Sequence, residues 1–186
     1  MKFVKVSEAA FKEIQLEAGL ILNKFDPTGA TDVADADIVC ATTGGIAINC
    51  KPTFTDYGSD IDNVPNNMLE FKEIDGWDCS LGFTALNASV PVIQMALCAA
   101  DVVGNKITPR NDLKVEDAKD VWWVGERADG GFVACCLKKS LSTDGLSLKT
   151  TKKGKGQLSC TLTGHVSIKA QDVVPMEFYV QEGEAA

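Results

Sequence analysis

Hydrophobic and polar residues alternate along the last quarter of the chain. The apolar members of this alternation are Leu158, Cys160, Leu162, Val166 and Ile168. Serine, threonine and His165 take the positions between them. Because successive side chains of a β-strand point to opposite faces, the alternation predicts a strand that is buried on one face. A second, shorter strand is predicted at residues 176–180.

The same reasoning predicts strands through the rest of the chain. Residues 77–85 alternate strictly, whereas residues 121–125 and 132–137 are almost continuously apolar, which is typical of strands covered on both faces. Gly44 and Gly45 lie between two β-prone runs and indicate either a tight hairpin turn or a bulge. The remaining predicted strands are residues 20–25, 38–40, 46–48, 54–57 and 146–150.

Two helices are predicted. Residues 90–100 form the better one, with Ser89 as its cap and Pro91 in the first turn, where a missing N–H costs nothing. A weaker helix begins after Ser7 and is predicted to end at Gly19.

Residues 58–75 lack the alternation of a strand, and they end in an apolar patch. A loop of this length in a compact domain is usually functional or disordered. About eight strands with one good and one weak helix predict a β-sandwich or barrel with a helix packed on its flank. A chain of 186 residues suits a single domain, with an N-terminal arm at about 1–18 and a disordered end at about 181–186.

Composition excludes several classes of protein. The formal net charge of −8 makes a nucleic-acid-binding protein a poor candidate, because binding to phosphate requires clustered lysine and arginine. No segment approaches the roughly 20 apolar residues of a membrane helix, and the N-terminus lacks the apolar core of a secretory signal. We therefore expect no membrane anchor and a cytoplasmic site of synthesis. Seven cysteines, an odd number without a Cys-x-x-Cys pair, predict reduced thiols with a structural role.

Candidate catalytic and metal-binding residues are few. His165 is the only histidine, so any Ser-His-Asp triad would need it, and a position within a strand favours a structural role. Asp56, Asp60, Asp62 and Asn63 offer oxygen ligands, but their spacing differs from that of a calcium loop and a charged turn explains them equally well. We predict no enzyme activity, no metal and no cofactor.

Two further features bear on contacts between molecules. The lysine-rich stretch 152–156 precedes a strand rather than a helix, unlike a phosphate-binding loop. It is either a solvated turn or a cationic patch that meets the acidic surface of a neighbouring copy. Trp122 and Trp123 point to opposite faces of one strand, so one belongs to the core and the other packs on the outer face or anchors an interface. We assign Trp123 to an interface.

Short motifs along most of the chain resemble, in order, those of one protein family. At the C-terminus they are Thr-Gly-His at 163–165, Gln-Asp-Val-Val-Pro at 171–175 and Glu-Phe-Tyr-Val at 177–180. The earlier motifs are residues 19–27, 41–46, 54–58, 108–113, 130–134, 141–146 and 153–156. With these motifs the chain resembles the major tail tube proteins of tailed bacteriophages and prophages.

The resemblance implies a tail-tube β-sandwich, related in fold to the type VI secretion tube protein. It implies a non-catalytic virion structural protein that forms rings, expected to be hexameric. Stacked rings would form the conduit through which DNA passes without specific binding. The implied partners are other copies, a tape measure protein, a tail terminator and distal tail proteins, with a sheath only in a contractile tail. The implied location is the virion tail, assembled in the bacterial host cytoplasm.

Interface residues are predicted from the oversized loop, whose apolar side chains its own domain is not expected to cover. The ring-stacking candidates are Tyr57, Asp60, Ile61, Asp62, Asn63 and Val64. The secondary candidates are Thr42, Thr43, Gly44, Gly45, Ile46 and Trp123, together with the N-terminal segment. The alternatives are a non-catalytic β-sandwich that binds to or decorates a virion or cell surface, and an enzyme with a deep pocket and perturbed carboxylates.

Overall fold

A computed structural model describes residues 6–29 and 32–183 of the chain. The protein is mainly β, as predicted, with 49% of residues in strands and 11% in helices. The described strands are β1 Gln15–Leu22, β2 Ile38–Cys40, β3 Thr42–Asp56, β4 Lys72–Ala85, β5 Ala100–Val103, β6 Lys106–Pro109, β7 Lys119–Arg127, β8 Phe132–Ser142, β9 Ser147–Lys149, β10 Gln157–Thr163 and β11 Met176–Gln181. The two described α-helices are α1 Glu8–Lys12 and α2 Val90–Ala96.

Most strands belong to one large antiparallel sheet with the order β2-β1-β7-β8-β10-β4-β3, to which β11 adds at β8 and β9 at β10. Strand β8 connects two layers, because its first part pairs with β7 and β11 whereas its last residues, Leu141 and Ser142, pair with β10. Lys139 has a φ of +45° at this change of partner. Strands β5 and β6 form a separate hairpin.

Buried side chains from both layers form one hydrophobic core, as expected of a β-sandwich. Leu81 on β4 and Leu162 on β10 lie directly opposite each other, and both are fully buried. Ile21 and Leu137 join the same cluster from the other layer, and α2 adds Val92 along one flank. Burial of these apolar surfaces is the dominant stabilising contribution to the fold.

The first strand differs from its prediction. It begins at Gln15 rather than residue 20, so Gly19 lies inside a strand and ends no helix. Gly19 has a φ of +74° and lies where the pairing of β1 with β7 shifts register. A Cβ at this position would collide with the carbonyl oxygen of Val124 and with the indole of Trp123. The glycine therefore forms a bulge that lets Trp123 pack beneath β1.

The Gly44–Gly45 pair forms a bulge rather than a hairpin turn. Both glycines have positive φ values, +78° and +85°, and the pairing of β3 with β4 shifts between Thr43 and Ile46. Strand β3 therefore continues through them as a single strand of 15 residues.

The predicted helix at 90–100 ends early, at Ala96. Leu97 caps the helix, Cys98 has a φ of +67° that interrupts any continuation, and β5 begins at Ala100. Pro91 lies in the first turn as predicted, whereas the Ser89 side chain makes no capping hydrogen bond.

The long C-terminal strand also ends earlier than its alternation predicts. Strand β10 stops at Thr163, and Val166 and Ile168 are exposed. The Gly164 N–H donates to the carbonyl of Cys79, and the His165 N–H donates to the carbonyl of Lys138. The first bond continues the register of β10 with β4, whereas the second goes to β8. The chain therefore leaves β4 after Gly164, and the alternation in sequence does not continue as a strand.

At the chain ends, the predictions concern residues that the structure describes only in part. The proposed N-terminal arm overlaps α1 and the start of β1, and its residues 1–5 lie outside the described residues. In the proposed disordered end, Gln181 belongs to β11, and residues 184–186 lie outside the described residues. Among the described residues, neither α-helix has the length or hydrophobicity needed to cross a membrane.

Candidate interaction surface

Strands β3 and β4 form a long hairpin that extends past its neighbours. They pair continuously from Thr42 opposite Ala85 to Asp56 opposite Lys72. Strand β10 pairs with β4 only over residues 80–85. We call residues 51–78 the arm, because in the described part of the chain its two strands pair only with each other and contribute nothing to the core cluster.

The arm exposes a concentration of large apolar side chains. These are Phe54, Tyr57, Ile61, Met68, Leu69, Ile74 and Trp77. Leu69 is 79% exposed, and Tyr57 is 57% exposed. Large exposed apolar side chains concentrated in one segment and interspersed with polar residues often mark an interaction site.

The tip of the arm is held by local hydrogen bonds. The Tyr57 N–H donates to the carbonyl of Phe71 at 2.9 Å, and the Gly58 N–H donates to Oδ1 of Asp56 at 3.0 Å. Gly58 is buried, with the Phe71 ring close to its Cα. The Glu73 carboxylate raises the pKa of the Tyr57 hydroxyl, which places a negative charge beside this exposed ring. The tip therefore presents a defined surface of mixed apolar and acidic character.

All six predicted stacking residues lie at this tip. Tyr57, Asp60, Ile61, Asp62 and Asn63 are exposed, and Val64 is half-buried. Asn63 has a φ of +65°, in the left-handed region that asparagine tolerates better than most residues. The predicted surface ends at Val64 and so leaves out the second side of the arm, where Leu69 is 79% exposed and Ile74 is 48% exposed. The apolar patch at the end of this loop was the sequence signal that could have included Leu69.

The secondary candidates fall in two different places. Thr42, Thr43, Gly44, Gly45 and Ile46 lie at the far end of β3, about 45 Å from the tip for strands of this length. Trp123 is 8% exposed, and its indole N–H donates to the carbonyl of Ala18 at 2.9 Å. Trp123 is therefore the core member of the pair, and the prediction of an exposed Trp123 is wrong. Its neighbour Trp122 packs on the outer face against Phe25 and Tyr179.

A separate cluster of charge surrounds Arg110 at a cavity of about 360 Å³ beside α2. Nη2 of Arg110 contacts both carboxylate oxygens of Asp117, at 2.6 and 2.7 Å, and Nε lies 2.9 Å from Oδ1 of Asp101. Carboxylates of Asp101 and Asp117 therefore surround the guanidinium as ion pairs, while its buried Nε makes no hydrogen bond of good geometry. This arrangement ties β5 to the turn before β7.

The Asp117 carboxylate should contribute to stability in a pH-dependent manner. The Lys114 N–H and, against partial burial, the Arg110 guanidinium lower the pKa of Asp117 below its ordinary value of 3.8. The contribution is therefore present at neutral pH and is lost as the pH falls below 3.8 and through the lowered pKa. Asp117→Asn should lower the free energy of unfolding at neutral pH, and the difference from wild type should shrink toward about pH 3.

Urea denaturation of both proteins at the two pH values measures this difference. Asp112→Asn is the matched control, since Asp112 lies 3.6 Å from the same guanidinium but is 71% exposed and should matter less. Equal losses for the two variants at neutral pH would contradict the assignment.

The remaining catalytic and metal-binding candidates are His165 and the carboxylates of the long loop. His165 is exposed beyond the end of β10, so its prediction as a residue within a strand is wrong, and its Nδ1 lies 3.2 Å from the carbonyl of Lys139. Within residues 6–29 and 32–183, no group of three or more histidine, cysteine, aspartate or glutamate residues is arranged to hold a metal ion.

All seven cysteines are free thiols, as predicted. Burial raises the pKa to about 12 for Cys40, Cys79 and Cys135 and to about 11 for Cys136 and Cys160. Cys50 and Cys98 are half-buried, and Sγ of Cys50 lies 3.0 Å from Sγ of Cys79 at the base of the arm.

The five buried cysteines and the two half-buried ones should differ in thiol reactivity. Because the thiolate is the reactive species, the five buried thiols should resist a disulfide reagent at neutral pH in the native protein. Burial also raises the pKa of the half-buried Cys98. We therefore expect Cys50 to react first and Cys98 more slowly, and all seven cysteines to react after unfolding. Colorimetric titration with a dithiobenzoate reagent, with and without denaturant, measures both numbers. Rapid labelling of Cys135 in the native protein would contradict the described packing.

No protein-family model matches this chain, and no curated protein matches it. The resemblance carried by its short motifs therefore remains a prediction.

Proposed function

We propose that the chain is a structural subunit of a phage tail tube, with a β-sandwich of the tail-tube type and no catalysis of its own. Copies assemble into rings, expected to be hexameric, and the rings stack into a channel for DNA in the virion tail. The observation that carries this proposal is the arm, whose two strands pair only with each other among the described strands and which exposes seven large apolar side chains. Tape measure, terminator and distal tail proteins are the proposed further partners, with a sheath if the tail is contractile.

The arm supports the proposal through the surface that it leaves uncovered. Burial of apolar surface contributes about 25 cal/mol per Å². A stable protein contact of standard size buries about 800 Å² on each partner. A protruding hairpin that exposes Tyr57, Leu69 and Ile74 offers such surface on a segment that can reach a neighbouring copy.

The sheet edges support lateral contacts. Strand β3 is the last strand of its sheet, so one edge of its 15 residues pairs with no other strand among those described. Exposed edges of this length promote uncontrolled pairing unless they are covered or used. Joining such edges between neighbouring copies would satisfy the backbone groups and close a ring, in the manner of head-to-tail contacts around an axis.

Net charge supports the proposed passage of DNA. Six copies at −8 each would carry a formal charge of −48. A channel wall that shares in this charge repels phosphate, so a duplex would slide through it without a fixed site.

Sedimentation velocity over a series of protein concentrations tests the proposal. Open-ended head-to-tail association predicts species that keep growing with concentration, whereas a binding or decoration module predicts a monomer or a small closed oligomer. Growth that stops at a monomer or dimer at millimolar concentration would refute the proposal.

A matched pair of variants locates the contact on the arm. Leu69→Ser should weaken association about tenfold or more, because burying a leucine side chain contributes about 1.5–3 kcal/mol. Val103→Ser is the control, since Val103 is 78% exposed against 79% for Leu69 but lies on the separate β5–β6 hairpin. Equal weakening by both variants would count against the arm as the contact surface.

A further inference from the structure

Two surfaces of opposite charge lie at opposite ends of the same sheet. The arm carries seven aspartate and glutamate residues against two lysines, a net charge of −5 over residues 51–78. The connection from β9 to β10 carries four lysines and no carboxylate over residues 149–155. We call residues 149–155 the basic turn.

The topology fixes the separation of these two surfaces. Gln157 pairs with Lys149, and Leu158 pairs with Ala85 at the end of β4, so the basic turn lies beyond that end. The arm tip lies at the other end, before Lys72. The 14 residues of β4 span about 45 Å, so the two surfaces cannot meet within one molecule.

The named charges on both surfaces form no ion pairs within the described part of the chain. The lysines of the basic turn, Lys149, Lys152, Lys153 and Lys155, are all exposed. On the arm Asp60, Asp62, Glu70, Glu73, Asp75 and Asp78 are exposed as well. None of these side chains belongs to the ion pairs found in residues 6–29 and 32–183, which involve other residues.

We propose that the basic turn of one copy docks on the acidic arm of the next copy. Two unlike surfaces at opposite ends of one molecule make a heterologous contact, which repeats from copy to copy without pairing like with like. The inference rests on the proposed self-association and names its partner surface, which is a second copy of this chain. The apolar side chains beside the acidic residues, Tyr57 and Leu69, would be covered in the same contact.

Complementary charge also orients the contact. Contact of two arms or of two basic turns would place like charges together, which disfavours symmetric dimers. Exposed charges are screened beyond about 8 Å at physiological ionic strength, so the attraction acts only at close approach and weakens with salt. The contact should therefore join copies head to tail, and it should weaken as the salt concentration rises.

Charge reversal on each surface provides the test. The turn variant carries Lys152→Glu, Lys153→Glu and Lys155→Glu. The arm variant carries Asp60→Lys, Asp62→Lys and Glu70→Lys. All six side chains are exposed, so substitution should leave folding intact. Light scattering and sedimentation would measure association of each variant alone and of an equimolar mixture, at about 0.05 M and about 0.5 M salt.

Each variant alone should associate at least about tenfold more weakly than wild type at low salt, since all its docking surfaces then carry one sign. The mixture should recover association, because the reversed arm of one variant meets the reversed turn of the other and the two unchanged surfaces also match. A control for the turn variant, with Lys24→Glu, Lys106→Glu and Lys169→Glu, makes the same change in net charge away from both surfaces and should associate as wild type does.

The outcomes separate this inference from the proposed function. If wild type associates and the turn variant associates equally well, the docking assignment is overturned while the tube function stands. If both variants fail alone and their mixture also fails, the two surfaces do not contact each other and the assignment is likewise overturned. A wild type that stays monomeric at every concentration would overturn both.

Discussion

Deleting residues 58–65 should abolish self-association while leaving the subunit folded. These residues form the first part of the arm tip and contain exposed Asp60, Ile61 and Asp62. They contribute no side chain to the core cluster, so their loss should cost little stability. The remaining residues 66–71 are long enough to connect Asp56 and Lys72, whose pairing closes the hairpin.

Two measurements on the deletion variant are needed. Thermal unfolding followed by circular dichroism should give a midpoint close to that of wild type, which establishes that the sandwich is intact. Sedimentation at high concentration should then show only small species. If the deletion variant folds and assembles like wild type, the tip is not part of the contact between copies.

Leu81→Ala should cause a large loss of stability. Leu81 is fully buried opposite Leu162, where the two layers of the sandwich meet. Removing buried methylene groups loses transfer free energy and leaves a cavity, so we expect the free energy of unfolding to fall by about 2–5 kcal/mol.

A control for Leu81 is available on the same strand. Ile74 lies on the arm and is 48% exposed, so Ile74→Ala should change the free energy of unfolding by less than about 0.5 kcal/mol. The same substitution should weaken association, because Ile74 belongs to the uncovered apolar surface. Urea denaturation and sedimentation of both variants separate the two effects. Similar losses of stability at both positions would mean that the arm is part of the core.

The sequence predicted the β class and several strands because burial has a direct signature in the pattern of residues. The first part of β8, residues 132–137, is covered on both faces, in keeping with its continuous apolar run. Leu158, Cys160 and Leu162 are buried on one face of β10, in keeping with their alternation. In both strands the residues that form the apolar pattern in the sequence are the ones that the core buries, so the pattern predicts the strand.

The features that were mispredicted depend on distant partners. Gly19 looked like a helix stop, but its positive φ serves the packing of Trp123 from β7. Adjacent Trp122 and Trp123 must point to opposite faces, yet nothing local says which face is the core. Val166 and Ile168 continue the alternation, but they pair with no strand in the described part of the chain. Such choices are made by tertiary contacts, which override local pattern.

The candidate surface was partly predictable for a similar reason. Its six stacking residues are nearly contiguous in sequence, so they come together whatever the fold. The opposing location of the basic turn depends on the pairing of β10 with β4 and of β9 with β10, which composition does not reveal. Sequence identified a possible cationic patch, and the topology placed it at the far end of the sheet from the acidic arm.

Electron microscopy of the pure, concentrated wild-type protein tests the central claim most directly. Polymerisation through unlike surfaces predicts hollow filaments, or rings that stack into them as concentration rises. A uniform field of single subunits or small closed particles at the same concentrations would contradict the account.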